Sequence, residues 1–269
     1  MGPAGGPFGG AVALFTDPGG AEATAEYSAS INWGDGSSST AGTITLSGSM
    51  YTVNGTHTYV NPGNYNITTT INHDAIITVV TSPATAANLG PAQPNEVADI
   101  VFWNGRGQAL IKSFDGDPNA TALGNWLASN FPNLYGASAG SHNLTGDTNT
   151  QVASFFQSVN ASTNNRTALD AEVLATALNV YATTLSLGGT AGQAYGFLVD
   201  TAGLGARTSN VGANGMAFGV PNFTSENVLQ LLKAANNNAA GAEPWGMNQL
   251  LRVEALMVFI FLNEMSAIS

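Results

Sequence analysis

Tyr65-Asn66-Ile67-Thr68-Thr69-Thr70-Ile71 decides the first half of the fold. Tyr65, Ile67, Thr69 and Ile71 fall on one parity, and Asn66, Thr68 and Thr70 on the other. That two-residue period is the signature of a half-buried strand. Working outward, similar β-branched runs occupy 11–15, 27–33, 40–46, 50–53, 55–59, 63–71 and 76–80. Turn chemistry separates them: Asp17-Pro18-Gly19-Gly20, Gly34-Asp35-Gly36, Ser47-Gly48-Ser49 and Asn61-Pro62-Gly63. Seven short strands over 11–82, behind a flexible Gly/Pro-rich segment 1–10, predict a β-sandwich.

The pattern changes near residue 83. Ser82-Pro83-Ala84-Thr85-Ala86-Ala87-Asn88-Leu89-Gly90-Pro91-Ala92-Gln93-Pro94 sets three prolines among small residues and reads as a linker over 83–95. Helical spacing governs 96–269. Apolar stripes predict helices at 107–114, 121–130, 149–159, 167–184, 225–235 and 245–265, the last being the longest and expected at the centre of the core. Residues 195–199 and 205–211 read as a small β-hairpin. The chain is therefore a multidomain β plus mainly α protein.

Composition narrows the function. Six basic against seventeen acidic residues leave a net charge of −11, too few cations to build a basic patch for nucleic acid. Zero cysteine removes disulfides and thiolate metal sites. The longest apolar run, 255–262, is too short to span a bilayer. With only 9% charged residues, the surface is covered by Asn, Thr, Ser, Gly and Ala, as on subunits that pack against one another.

Catalytic motifs are scarce. His57, His73 and His142 stand in no HxH or HExxH spacing, and no G-x-S-x-G elbow occurs. Ser141 beside His142 is only a sequence neighbour, and Glu254 reads as a partner of Arg252 or of solvent. No catalytic residue is predicted and no enzyme is expected. For a metal, Asp115-Gly116-Asp117 followed by Asn119 suits calcium best, because two carboxylates flanking a glycine bend around a hard cation. Asp17 and Asp35 could bind calcium at strand ends. No other cofactor is expected.

Asn32-Trp33-Gly34-Asp35-Gly36, then Gly55-Thr56-His57-Thr58-Tyr59, then Pro62-Gly63-Asn64-Tyr65-Asn66-Ile67 form an ordered set. Asp35 should cap its turn, Trp33 should fill the core, and His57 and Tyr59 should share a face. The set resembles PKD-like (Ig-like) repeats of large planctomycete-type surface proteins. A second stretch runs through Phe102-Trp103-Asn104-Gly105-Arg106-Gly107, Leu123-Gly124-Asn125-Trp126, Leu169-Asp170-Ala171-Glu172 and Asn210-Val211-Gly212-Ala213-Asn214-Gly215. It is similar to a helical module near the C-terminus of the same kind of protein, although no His follows Trp103. The resemblances imply an extracellular, cell-surface protein with structural or adhesive duty.

Its expected partners are copies of itself, other surface proteins, or polysaccharide. A donated strand would carry Val12, Leu14 and Phe15 to a neighbour's sheet edge. Trp245 and Tyr51 are the aromatic candidates for sugar stacking. Arg106 is expected to stack on Trp103.

Overall fold

The computed structural model describes residues 7–59, 63–87, 89–161, 165–246 and 248–268. Residues 1–6 of the expected flexible segment and Asn61-Pro62 of the last strand turn lie outside the described residues. The chain divides into two compact units, 1–88 and 89–269. Among the described residues, no helix is long and apolar enough to cross a membrane.

The first unit is one antiparallel sheet of six strands: β1 (Pro7–Phe15), β2 (Tyr27–Asn32), β3 (Thr40–Ser47), β4 (Met50–Thr58), β5 (Gly63–His73) and β6 (Ile76–Ala86). Their order is β1-β4-β3-β2-β5-β6. The two end strands approach each other, Ser82 Oγ donating to the Val12 carbonyl at 2.9 Å, so the sheet curls into a near-barrel. Ile31, Trp33, Tyr51, Val53 and Ile67 are fully buried inside it.

Three differences from the sequence reading have physical causes. The runs at 50–53 and 55–59 are a single strand, β4, with Gly55 inside it. A Cβ there would press on Ile31 Cδ1 at 2.5 Å and on the Trp33 ring, so the glycine serves a close approach and not a turn. Pro83, read as linker, belongs to β6 opposite Asn66. A proline is tolerated there because β6 ends the sheet order and need not donate on both sides. Residues 7–10, read as flexible, pair with β4 from Pro7↔Thr58 onward.

The second unit is mainly helical: α1 (Ile100–Asn104), α2 (Gly107–Ser113), α3 (Ala122–Asn130), α4 (Pro132–Tyr135), α5 (Asn149–Asn160), α6 (Asn165–Thr183), α7 (Leu185–Gly188), α8 (Val228–Asn237) and α9 (Gln249–Glu264). Its centre is α6 and not the 245–265 segment, because residues 169–184 are all buried. Ala, Thr and Asn make α6 look mild in sequence. Small side chains allow neighbours on every side, and its hydroxyls bond back to the helix, as Thr176 Oγ1 does to the Glu172 carbonyl at 2.9 Å.

Helix α9 buries one face through Ala255, Val258, Phe259, Leu262 and Asn263. It starts later than expected because Trp245 sits at φ 52°, and Asn248 supplies the cap by accepting from the Leu251 N–H at 3.2 Å. The expected hairpin is placed differently. β7 (Thr208–Asn210) pairs with β8 (Ser225–Asn227), which takes the start of the predicted 225–235 helix, and 195–199 forms no strand.

Candidate functional site

The first unit gathers its ionisable groups at the two ends of β2. At one end stands the predicted motif. Trp33 is fully buried and its Nε1 donates to Thr40 Oγ1 at 3.0 Å. Gly34 adopts φ 80°, where a Cβ would collide with the Asn66 backbone, so the turn demands glycine. The turn aims Asp35 at His57 Nε2, 2.7 Å away, and the imidazole stacks on Trp33 with ring centroids 4.7 Å apart. Tyr59 donates from its hydroxyl to the Trp33 carbonyl at 3.0 Å.

Burial opposes the charge on Asp35, yet hydrogen bonds from Ser37 and His57 outweigh it and hold the carboxyl below its ordinary range. Burial first, then the Asp35 and Tyr65 charges, push Tyr59 up to about 12. Ser37 Oγ donates to Asp35 Oδ1 at 2.6 Å. The order is thus Ser–Asp–His, with the acid in the middle. A nucleophilic triad needs the imidazole against the hydroxyl. This arrangement cannot activate Ser37; it locks a turn onto a strand.

The other end of β2 holds a group of which the sequence marks only Asp17. Tyr27 opens β2 opposite His73, the last residue of β5. Their rings stack at 4.3 Å, and the Tyr27 hydroxyl donates to Asp17 Oδ2 at 2.5 Å. His73 lies 3.5 Å from Asp17 Oδ2 through Nδ1 and 3.2 Å from Glu22 Oε2 through Nε2, with Asp74 at 3.8 Å. The Tyr27 hydrogen bond, the Gly19 N–H and the His73 imidazole hold Asp17 below the usual carboxylate range against burial. Burial and then Asp17 raise Tyr27.

Asp17, Glu22 and His73 can each offer one donor atom within 4.8 Å of the others, the one set of three or more such residues found among the described residues. A groove of about 90 Å³ beside them is walled by Phe15, Tyr27, Ile71 and Ile76. The sequence did hold a signal. His73 continues the inward parity of Ile67, Thr69 and Ile71. Its partners, about fifty residues earlier, were not recoverable from spacing.

The helical unit arranges its polar groups otherwise. Asn179 Oδ1 accepts from the Ala98 N–H at 2.9 Å and from Trp103 Nε1 at 3.0 Å. Asn179 Nδ2 donates to Asn263 Oδ1 at 3.1 Å, and Asn263 Nδ2 donates to Glu172 Oε2 at 2.7 Å. Burial, with Glu264 and Asp99 nearby, pushes Glu172 up to about 7 against that hydrogen bond. A groove of about 750 Å³ is lined by Asp99, Phe102, Arg106 and Glu264. Asp99 caps α1 there, accepting from the Phe102 N–H at 2.7 Å.

The remaining predicted residues fall as follows. Asp115 takes φ 57° and lies 3.4 Å from the Tyr181 hydroxyl, while Asp117 Oδ1 accepts from the Asn119 N–H at 2.8 Å. Asp117 and Asn119 thus close a local turn. Trp245 is 4% exposed and donates to the Ala217 carbonyl, and Tyr51 is fully buried, so neither offers a sugar a free ring face.

Strand β1 completes its own sheet. A bulge between Ala11 and Ala13 shifts the parity, burying Val12 and Ala13 and turning Leu14 outward, and Phe15 stacks on Tyr51 at 4.7 Å. Val12 and Phe15 are therefore engaged within the chain. Arg106 lies over Tyr195 and not over Trp103, which is buried. Arg252 donates to the Gly246 carbonyl, while Glu254 accepts from the Ala217 N–H.

Comparisons with protein-family models, with curated proteins and with solved structures returned no match.

Proposed function

We propose that the chain is a non-catalytic, extracellular structural or adhesive subunit of a cell surface, that its first unit is a PKD-like domain, and that copies of it associate through β6. One observation carries the reading. β6 ends the sheet order, and its first residues, Ile76-Ile77-Thr78-Val79-Val80, are uncharged and mostly β-branched. Ile76, Ile77 and Val79 are 65%, 68% and 58% exposed. Exposed strand edges usually carry lysine, proline or a bulge to prevent pairing. This half-strand carries none of them, so it is open to a second copy of itself in antiparallel register, a self-complementary contact.

The outward face of α9, with Leu250, Val253, Met257 and Phe261 all exposed, adds apolar surface of the kind that marks contact sites. The two sequence resemblances supply the cell-surface location. The lock of Asp35 between Ser37 and His57 accords with a non-catalytic duty.

Light scattering of the purified chain over a range of concentrations tests the association. The expected result is a dimer or larger species for the parent chain and a monomer for Ile77→Lys with Val79→Lys. A parent chain that stays monomeric at every concentration, or an unchanged size in the double variant, would refute association through β6. Surface biotinylation of intact source cells should label the protein; labelling only after lysis would contradict the location.

A further inference from the structure

We propose that Asp17, Glu22 and His73 form a binding site for a divalent transition ion of the zinc class, which fastens the chain between β1 and β2 to the end of β5. The donors come from two separate parts of the first unit. Asp17 and Glu22 lie between β1 and β2, and His73 ends β5. The present spacing of His73 Nδ1 and Asp17 Oδ2, 3.5 Å, is close to the donor–donor edge of about 3.3 Å that follows from zinc bonds of about 2.0–2.1 Å in a tetrahedron, while Glu22 Oε2 now meets the other ring nitrogen, Nε2, at 3.2 Å. All three donors lie within 4.8 Å. Closing the site therefore requires small side-chain movements. The Glu22 side chain, 51% exposed, is free to make them, whereas those of Asp17 and His73 are 12% and 18% exposed and held in place.

Two independent features point to a cation. The first is orientation from behind the donors. Tyr27 donates to Asp17 and stacks on His73, the Gly19 N–H binds Asp17 Oδ1 at 2.7 Å, and Tyr51 bonds the Glu22 backbone through its hydroxyl. Such outer partners fix the direction of ligands in metal sites. The second is charge. Residues 1–88 contain no Lys or Arg, yet Asp17, Glu22 and Asp74 all face the single imidazole of His73. A bound cation would add to the solvent that already offsets Glu22 and Asp74, whose side chains are 51% and 83% exposed. An imidazole donor favours zinc-like ions over calcium and magnesium, which prefer all-oxygen sets. The groove walled by Phe15, Tyr27 and Ile76 leaves the site accessible.

Calorimetric titration of the full chain with zinc chloride, and in parallel with calcium chloride, tests this, together with thermal melting in each salt. One equivalent of zinc is expected to bind and to raise the melting temperature, with calcium at least tenfold weaker. His73→Gln and Glu22→Gln should each weaken zinc binding at least tenfold. Tyr27→Phe, which keeps the ring stack but removes the outer hydrogen bond, should cost about 10–100-fold. Binding should weaken in acid, because protons compete for the imidazole. His57→Gln and Asp117→Asn should leave affinity unchanged. Circular dichroism confirms that each variant is folded, and Glu22→Gln, changing an exposed side chain, remains informative if His73→Gln unfolds. No saturable zinc binding, equal affinity for calcium, or zinc binding indifferent to both His73→Gln and Glu22→Gln would overturn the proposal.

Discussion

The two units solve the same problem in opposite ways. The β unit keeps its ionisable groups at the two ends of β2, each against aromatic rings: His57 on Trp33 and His73 on Tyr27. Its interior is otherwise nearly all apolar. The helical unit carries polar side chains to its centre, where Asn179 and Asn263 join α6 to α9 and to the backbone of Ala98. A sheet satisfies its backbone through its ladders, so its side chains need not bridge strands. Helices satisfy their backbones internally and meet only through side chains. A buried amide that satisfies several partners therefore fixes how α6 and α9 register. The β unit places its polar clusters at the rims of its sheet, while the polar network of the helical unit serves its own packing.

Trp33→Ala should break the β side of this contrast most severely. It empties a fully buried site and should cost about 3–5 kcal/mol in urea unfolding. A loss below about 1 kcal/mol would mean that the ring is not the pivot of the core. Asn263→Leu should cost about 2–4 kcal/mol in the helical unit, since Glu172 and Asn179 each lose a buried partner; a stabilised variant would show that the amide network is dispensable.

Glu172 sharpens the contrast through pH. Its folded pKa, about 7, exceeds its ordinary 4.5, so the native state holds the proton more tightly than the unfolded chain. Stability then falls as pH rises between about 4.5 and 7. Glu172→Gln keeps an acceptor for Asn263 and should stabilise the chain by about 2–3 kcal/mol at pH 8, with little effect at pH 4. Equal melting shifts at both pH values would contradict the burial argument.

The smallest effect belongs to the β rim. Asp35 is depressed below its ordinary range, so its contribution is present above pH 4 and is lost as the pH falls further. Asp35→Asn should cost about 1 kcal/mol at pH 7 and less in acid, read from the same melts.

The legible parts of the sequence were those with local period or local turn chemistry. Tyr65–Ile71 alternation located β5, and Gly34-Asp35-Gly36 located the turn that Asp35 caps by accepting from the Ser37 N–H. What escaped depended on contacts distant in sequence. Gly55 looked like a break between strands because its constraint comes from Ile31 and Trp33. Pro83 looked like a linker because an edge position is invisible without the sheet order. Helix α6 was outranked by α9 because hydrophobicity measures what a residue dislikes in water and not how closely helices approach it. Asp17 was marked as a metal candidate, but its grouping with Glu22 and His73 escaped because only the Tyr27↔His73 register brings His73 to that end of β2.

Amide hydrogen exchange of residues 76–80, followed by mass spectrometry at low and at high protein concentration, tests association through β6 most directly. The account predicts that these amides become protected as concentration rises, and that Ile77→Lys with Val79→Lys abolishes the gain. Exchange in this segment that is fast and independent of concentration would contradict it.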